Sequence, residues 1–197
     1  INELKLIINV IDEIKIEAKG LVEAKVKLSD IRRDKALILL GFAGGFRRSE
    51  LVNIEHDDIE FVKEGVKIVI KRSKTDQSGE GTIKAIPYFD NEKYCPVKAL
   101  KNYMTYGFAI ANKGKIFDIS DKSVALIIKR YAEKAGLDSS KYAGHSLRSG
   151  FATTAAEFGA EERNIMAMTG HKTTQMVRRY IQEANLFKNN ALNKIKI

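Results

Sequence analysis

Cysteine is almost missing from this chain: Cys95 stands alone among 197 residues. A single thiol excludes an intrachain disulfide and a cysteine-based zinc site, and it fits a reducing cytoplasm. Proline is nearly as scarce, with only Pro87 and Pro96. No apolar run approaches the length of a membrane span, and no signal-peptide pattern opens the sequence. Repeats and low-complexity tracts are absent as well. Acidic residues are also short, 25 Asp and Glu against 34 Lys and Arg, which leaves a formal net charge of +9 and a pI near 9.5. That imbalance points to a polyanion partner, nucleic acid rather than a membrane, because no basic amphipathic anchor stands out. A basic protein that is merely well solvated is the plainer alternative.

What is present is mostly helical periodicity. "INELKLIINVIDEIKIEAKG" carries Leu4, Ile7, Ile8, Ile11 and Ile14 at helical spacing and predicts a helix ending on Gly20. "SDIRRDKALILLGFAGG" predicts a central helix, apolar on most sides in its later half. It breaks at Gly44-Gly45 and restarts as "FRRSELVNI". "VKIVIK" and "TIKAIP" alternate as the two strands of a hairpin, and "RSKTDQSGEG" connects them. Further helices follow in "CPVKALKNYMTYG", with Pro at its start, and in "DKSVALIIKRYAEKAGL". The next is "HSLRSGFATTAAEFGA", with Ser146 as its N-cap type, and then "AEERNIMAMTG" and "TTQMVRRYIQEANLF". The pattern reads as a mainly α domain with a small antiparallel β-hairpin, an α+β class without an internal boundary. Because the first residue is Ile1, not Met, the expectation is a single domain, residues 1–197, cut from a longer chain.

Several polar residues fall in positions that suit phosphate chemistry. Arg47 follows the Gly44-Gly45 break, and Arg148 lies in the first turn of another helix, three residues after His145. Guanidinium groups offer paired donors matched to phosphate oxygens, so two of them at two helix starts can clamp one phosphate. Taken singly, each reads as a surface arginine. His171 precedes Tyr180 by nine positions, with Lys172, Arg178 and Arg179 close by. With three His and seven Tyr in the chain, that spacing arises by chance about 0.1 times. Lys74, on the segment joining the two predicted strands, can reach into a site and deliver a proton; the ordinary reading is a solvated lysine. The order of these elements along one chain carries more weight than any one of them.

"GFAGGFRRSELVNI", "KRSKTDQSGEG", "GHSLRSG" and "GHKTTQMVRRYI" together resemble the ordered signature of the tyrosine recombinases, the phage integrase family, of the Cre and Xer types. The resemblance runs from about Arg32 to Tyr180. It implies the tyrosine recombinase catalytic-domain fold and assigns roles residue by residue. Arg47 and Arg148 match the two arginines, Lys74 the hairpin lysine (with Lys71 close by), and His145 the histidine of the H-x-x-R pair. His171 matches the His or Trp ahead of the nucleophile, and Tyr180 the nucleophile. Glu50 falls where the family often has a supporting acidic residue. Two departures stand out: Thr169 replaces the usual Leu before Gly170-His171, and Arg48 adds a second basic residue after Arg47. The family's N-terminal DNA-clamping domain has no counterpart in these residues.

The resemblance implies a DNA strand transferase that works without metal, cofactor or ATP. The Tyr180 phenol attacks phosphorus, a 3′-phosphotyrosyl link stores the bond, and a 5′-hydroxyl reverses the attack. His145 is the expected base, Lys74 the acid, and Arg47, Arg148 and a donor from His171 face the developing charge. The implied partners are double-stranded DNA and further copies of the chain, a tetramer on DNA and a weakly binding monomer alone, in the cytoplasm and without a membrane. "IQEANLFKNNALNKIKI" predicts a tail that packs on a neighbouring subunit or back on its own domain. Three rivals remain at this stage: a type IB topoisomerase, a metal nuclease built on Glu55, His56, Asp57 and Asp58, and a non-catalytic basic DNA-binding module.

Overall fold

A computed structural model describes residues 1–71, 81–106, 114–186 and 195. Among these the helices are α1 (Asn2–Asp12), α2 (Leu21–Ala43), α3 (Arg48–Leu51), α4 (Pro96–Tyr106), α5 (Asp121–Lys134), α6 (Ser146–Glu157), α7 (Glu162–Thr169) and α8 (Thr174–Asn185). The strands are β1 (Ile59–Phe61), β2 (Gly65–Ile70) and β3 (Thr82–Pro87). The α+β expectation holds, with two corrections at the start of the chain. α1 ends at Asp12 rather than Gly20, because Ile14 and Ile16 alternate in the manner of an extended link and only Ile14 packs on the core. α2 begins at Leu21, earlier than its apolar pattern suggests, since Leu21 and Val22 are exposed and give no amphipathic cue.

The later half of α2 is the axis of the molecule. Every residue from Ala36 to Ala43 is buried, as expected of a helix apolar on all sides. α4 and α6 pack along it, and α1 packs on α5. Asp34 is fully buried near its middle and accepts hydrogen bonds from Arg33, Arg130 and the Tyr131 hydroxyl. A smaller apolar cluster of Ala152, Ala156, Ile165 and Val177 joins α6, α7 and α8, with Tyr180, Ile181 and Ala184 packed against it.

The expected hairpin is part of a three-stranded antiparallel sheet in the order β1-β2-β3. β1 was hidden in the sequence because it is three residues long and follows a polar run. That run, Glu55 to Asp58, is a tight turn in which the Asp58 carboxylate accepts the Glu55 N–H at 2.9 Å. Lys71 closes it by pairing with Glu55 at 2.6 Å and Asp58 at 2.9 Å. Of the carboxylates proposed for a metal nuclease, Glu55 and Asp58 are thus tied up in the turn and Asp57 is exposed, and no three His, Cys, Asp or Glu among the described residues group to hold a metal. No described helix is long and apolar enough to cross a membrane.

Candidate active site

The turns that follow α2 and α7 meet the start of α6 and one face of α8 here. Arg47 sits just before α3 with an extended backbone, φ −70° and ψ 149°. α3 is a single turn, so the site rests on side chains and not on that helix's dipole. Glu50, buried, accepts the Arg47 N–H at 2.9 Å and its Nη1 at 2.5 Å. The remaining Arg47 Nη2 donates to the Gly170 carbonyl at 3.1 Å, across 123 residues of chain. Gly170 ends α7 in the left-handed region, φ 62° and ψ 38°. Glycine enters that region without strain, and here it aims its carbonyl at Arg47 and turns the chain into His171.

Arg148 occupies the first turn of α6 and is only 5% exposed, with Nη1 donating to the Gly45 carbonyl at 3.1 Å. Burial, with help from the Arg47 charge, pulls its pKa down to about 10, against the opposing pull of Glu50 and Tyr180. Two guanidinium groups close enough to perturb each other are held by the Gly170 and Gly45 carbonyls, and on the Arg47 side also by the Glu50 carboxylate. A dianion between them would relieve that repulsion.

His171 is half-buried, with Nδ1 2.7 Å from the Thr169 hydroxyl. That hydroxyl is also 2.6 Å from the Ile165 carbonyl, which can only accept. Thr169 therefore donates to Ile165 and accepts from Nδ1–H, which leaves Nε2 with its lone pair in the neutral ring. Burial first, then the charges of Arg148, Arg47 and Lys84, lower the His171 pKa to about 4. The expected donor from His171 thus needs a second proton, which an arriving phosphate would favour by supplying negative charge. The Tyr180 ring, on α8, stands 6.4 Å from the His171 ring, tilted by 43°. Thr173 takes the N-cap position of α8 without a side-chain cap bond.

Four of the six residues singled out from the sequence, Arg47, Arg148, His171 and Tyr180, come together here. His145 takes the N-cap position of α6, displacing the expected Ser146, and its side chain is exposed without a hydrogen bond among the described residues. Lys74 lies outside the described residues, as does Phe187 of the tail. Arg48 lies across Gly144 beside His145, so close that a Cβ there would meet its Nε at 2.1 Å.

Lys84 was missed. It is 6% exposed and donates to the carbonyls of Gly44, at 2.7 Å, and Met168, with the Phe46 ring 4.6 Å away. Burial first, then Arg148 and Arg47, bring its ammonium down to about 8, while Glu50 acts to raise it. Only its burial was legible: in "TIKAIP" the period of two places Lys84 on the same inward face as Ile86.

The described architecture matches solved tyrosine recombinases. It superposes on a XerA recombinase with a TM-score of 0.69 at 20% identity, covering the whole of this chain and 62% of that one. On the XerH site-specific recombinase, bound to its palindromic difH substrate after cleavage, the TM-score is 0.68 at 18% identity, covering 96% of this chain and 52% of that one. In sequence, residues 14–186 match the phage integrase family, and the chain belongs to it. An integrase/recombinase XerD homolog of Selenomonas ruminantium is 49% identical over 181 residues, 86% of this chain and 52% of that protein. The tyrosine recombinase XerA of Pyrococcus horikoshii is 29% identical over 183 residues, 91% of this chain and 62% of the relative. The chain thus spans about half to three-fifths of the length of these relatives.

Proposed function

We propose that residues 1–197 are the catalytic domain of a site-specific DNA recombinase that cleaves and rejoins double-stranded DNA through a 3′-phosphotyrosyl intermediate. The observation that carries this reading is the pair of guanidinium groups of Arg47 and Arg148, anchored on the Gly170 and Gly45 carbonyls beside His171 and the Tyr180 ring. Tyr180 Oη forms a bond to phosphorus as the bond to the 5′-oxygen breaks. The phenolic proton leaves to a base near the site, and the departing oxygen takes a proton, in this reading from Lys74. Arg47 and Arg148 balance the charge that gathers on the non-bridging oxygens, the kind of preorganised contact whose loss lowers rates by about 10²–10³. A free 5′-hydroxyl then runs the sequence backward on a new strand.

The recombinase reading is preferred to a type IB topoisomerase because the relatives named above are recombinases. It includes an N-terminal DNA-clamping domain supplied from outside this sequence, assembly as a tetramer on DNA, and residence in the cytoplasm.

The test is covalent capture. The protein is incubated with sheared total DNA of its source organism and denatured in SDS, and the DNA that stays attached is sequenced. Attachment through a 3′ end at a shared site, abolished in Tyr180→Phe, is the expected result. Equal capture by Tyr180→Phe would overturn the assignment.

A further inference from the structure

Lys84 has no role in the chemistry above, yet its placement is costly. Burying an ammonium removes its hydration, and proteins seldom keep one inside without a paired carboxylate. Among the described residues Lys84 forms no ion pair; its partners are two backbone carbonyls and the face of Phe46. Those carbonyls are not arbitrary. Gly44 is the C-cap of α2, and Met168 lies in the last turn of α7. The final carbonyls of a helix lack intrahelical partners and gather the negative end of its dipole, so one cation here satisfies two helix ends together.

The chain leaves both ends directly into the phosphate-facing turns. Gly44 leads through Gly45 and Phe46 to Arg47, and Met168 leads through Thr169 and Gly170 to His171. Arg148 and Arg47 brace the same turns through Gly45 and Gly170. Lys84, buried like Arg148, braces them through the neighbouring Gly44 and Met168 carbonyls.

We propose that Lys84 is a positioning residue of the phosphate site, whose charge holds the Gly44 and Met168 carbonyls together and so sets the gap between Arg47 and His171. This deepens the recombinase reading and rests on it only for the identity of the phosphate.

The groups that face Lys84 are Glu50 behind Arg47, Arg47 itself, Arg148 on α6 and His171 on the α7–α8 turn. Three of the four are basic. With its pKa near 8, Lys84 is charged at neutral pH and loses its proton as the pH rises through that value. Below it, the clamp is complete; above it, one donor to the two carbonyls is weakened and the site loses a positive charge. By linkage, an anion that binds the clamped form also raises the Lys84 pKa.

Sulfate is the probe, because its charge stays constant across the relevant pH range. Its dissociation constant is read from His171 ring and arginine side-chain NMR shifts on the whole protein. For the wild type, affinity should fall about tenfold between about pH 7 and about pH 9.5. Lys84→Met should bind sulfate about tenfold more weakly at pH 7 and lose the pH dependence. Lys84→Arg should restore neutral-pH affinity and move the fall to higher pH. A flat wild-type profile, a Lys84→Met protein that binds like the wild type, or a folded Lys84→Arg that restores nothing each overturns the proposal. Should Lys84→Met fail to fold, the wild-type profile and Lys84→Arg decide. The recombinase reading fails separately, through Tyr180→Phe in the DNA capture, which leaves the sulfate result standing.

Discussion

The Thr169 hydroxyl lies 2.7 Å from His171 Nδ1 and 2.6 Å from the Ile165 carbonyl, and this pair of contacts fixes which nitrogen of the imidazole carries the proton. Thr169→Val keeps the volume and removes the acceptor. The ¹⁵N shifts of His171 should show the Nδ1–H tautomer in the wild type and a mixture in the variant. Covalent DNA capture should slow by about tenfold, the size expected when a reacting group loses its orienting hydrogen bond. An unchanged tautomer in Thr169→Val removes this role.

His171 should stay neutral at pH 7 and titrate near 4 in the free protein. Its folded pKa lies below the unfolded value of about 6.5, so the unfolded chain binds more protons between those two values. The contribution of His171 to stability is therefore full above about pH 6.5 and is lost as the pH falls toward 4. Urea midpoints of wild type and His171→Gln should converge across that window. NMR titration of the ring reads the pKa directly.

Gly144 has no room for a Cβ while Arg48 rests on it, with Nε, Cζ and Cδ at 2.1, 2.3 and 2.5 Å from where that atom would be. Because the obstruction is the far end of a flexible side chain, Gly144→Ala should lose only about 1 kcal/mol. Arg48→Ala should cancel that loss in the double variant, a non-additivity measurable by chemical denaturation. Additive losses would separate the two residues.

Asp34 is buried beneath Arg33, Arg130 and Tyr131. Asp34→Ala leaves Arg33 without its buried partner and should lower stability by about 3–5 kcal/mol. Arg130, whose side chain is 52% exposed, is a lesser member of the group, and Arg130→Ala should lower stability by about 1 kcal/mol or less. Denaturant unfolding with an unchanged m-value checks both.

The site residues legible in the sequence were those whose spacing is imposed by one helix turn or one tight turn. Arg148 sits in the first turn of α6, and the Gly170 turn and two turns of α8 set His171 near Tyr180, whereas His145, three residues before Arg148, is exposed and stays apart from them. Lys84 was illegible as a site residue because nothing local links it to Gly44 or Met168, which lie 40 and 84 positions away. Strand alternation predicts its burial but not its partners. The tautomer of His171 was hidden for a similar reason: Thr169 reads as a departure from a motif until the Ile165 carbonyl is seen to use its proton. In the fold, the buried half of α2 announced itself by its apolar residues, whereas its first turns did not. Leu21, Val22 and Val26 face solvent, so no apolar stripe marked where the helix began.

α8, which carries Tyr180, is not rooted in the main core but in the small cluster of Ala152, Ala156, Ile165 and Val177. Two of those four are alanines, so little apolar side chain anchors the helix. Such an element is expected to open on its own, below the energy of global unfolding. Amide hydrogens of α8 should therefore exchange far sooner than those of buried α2, and Tyr180 should move with α8 while Arg47 and Arg148 keep their anchors on Gly170 and Gly45.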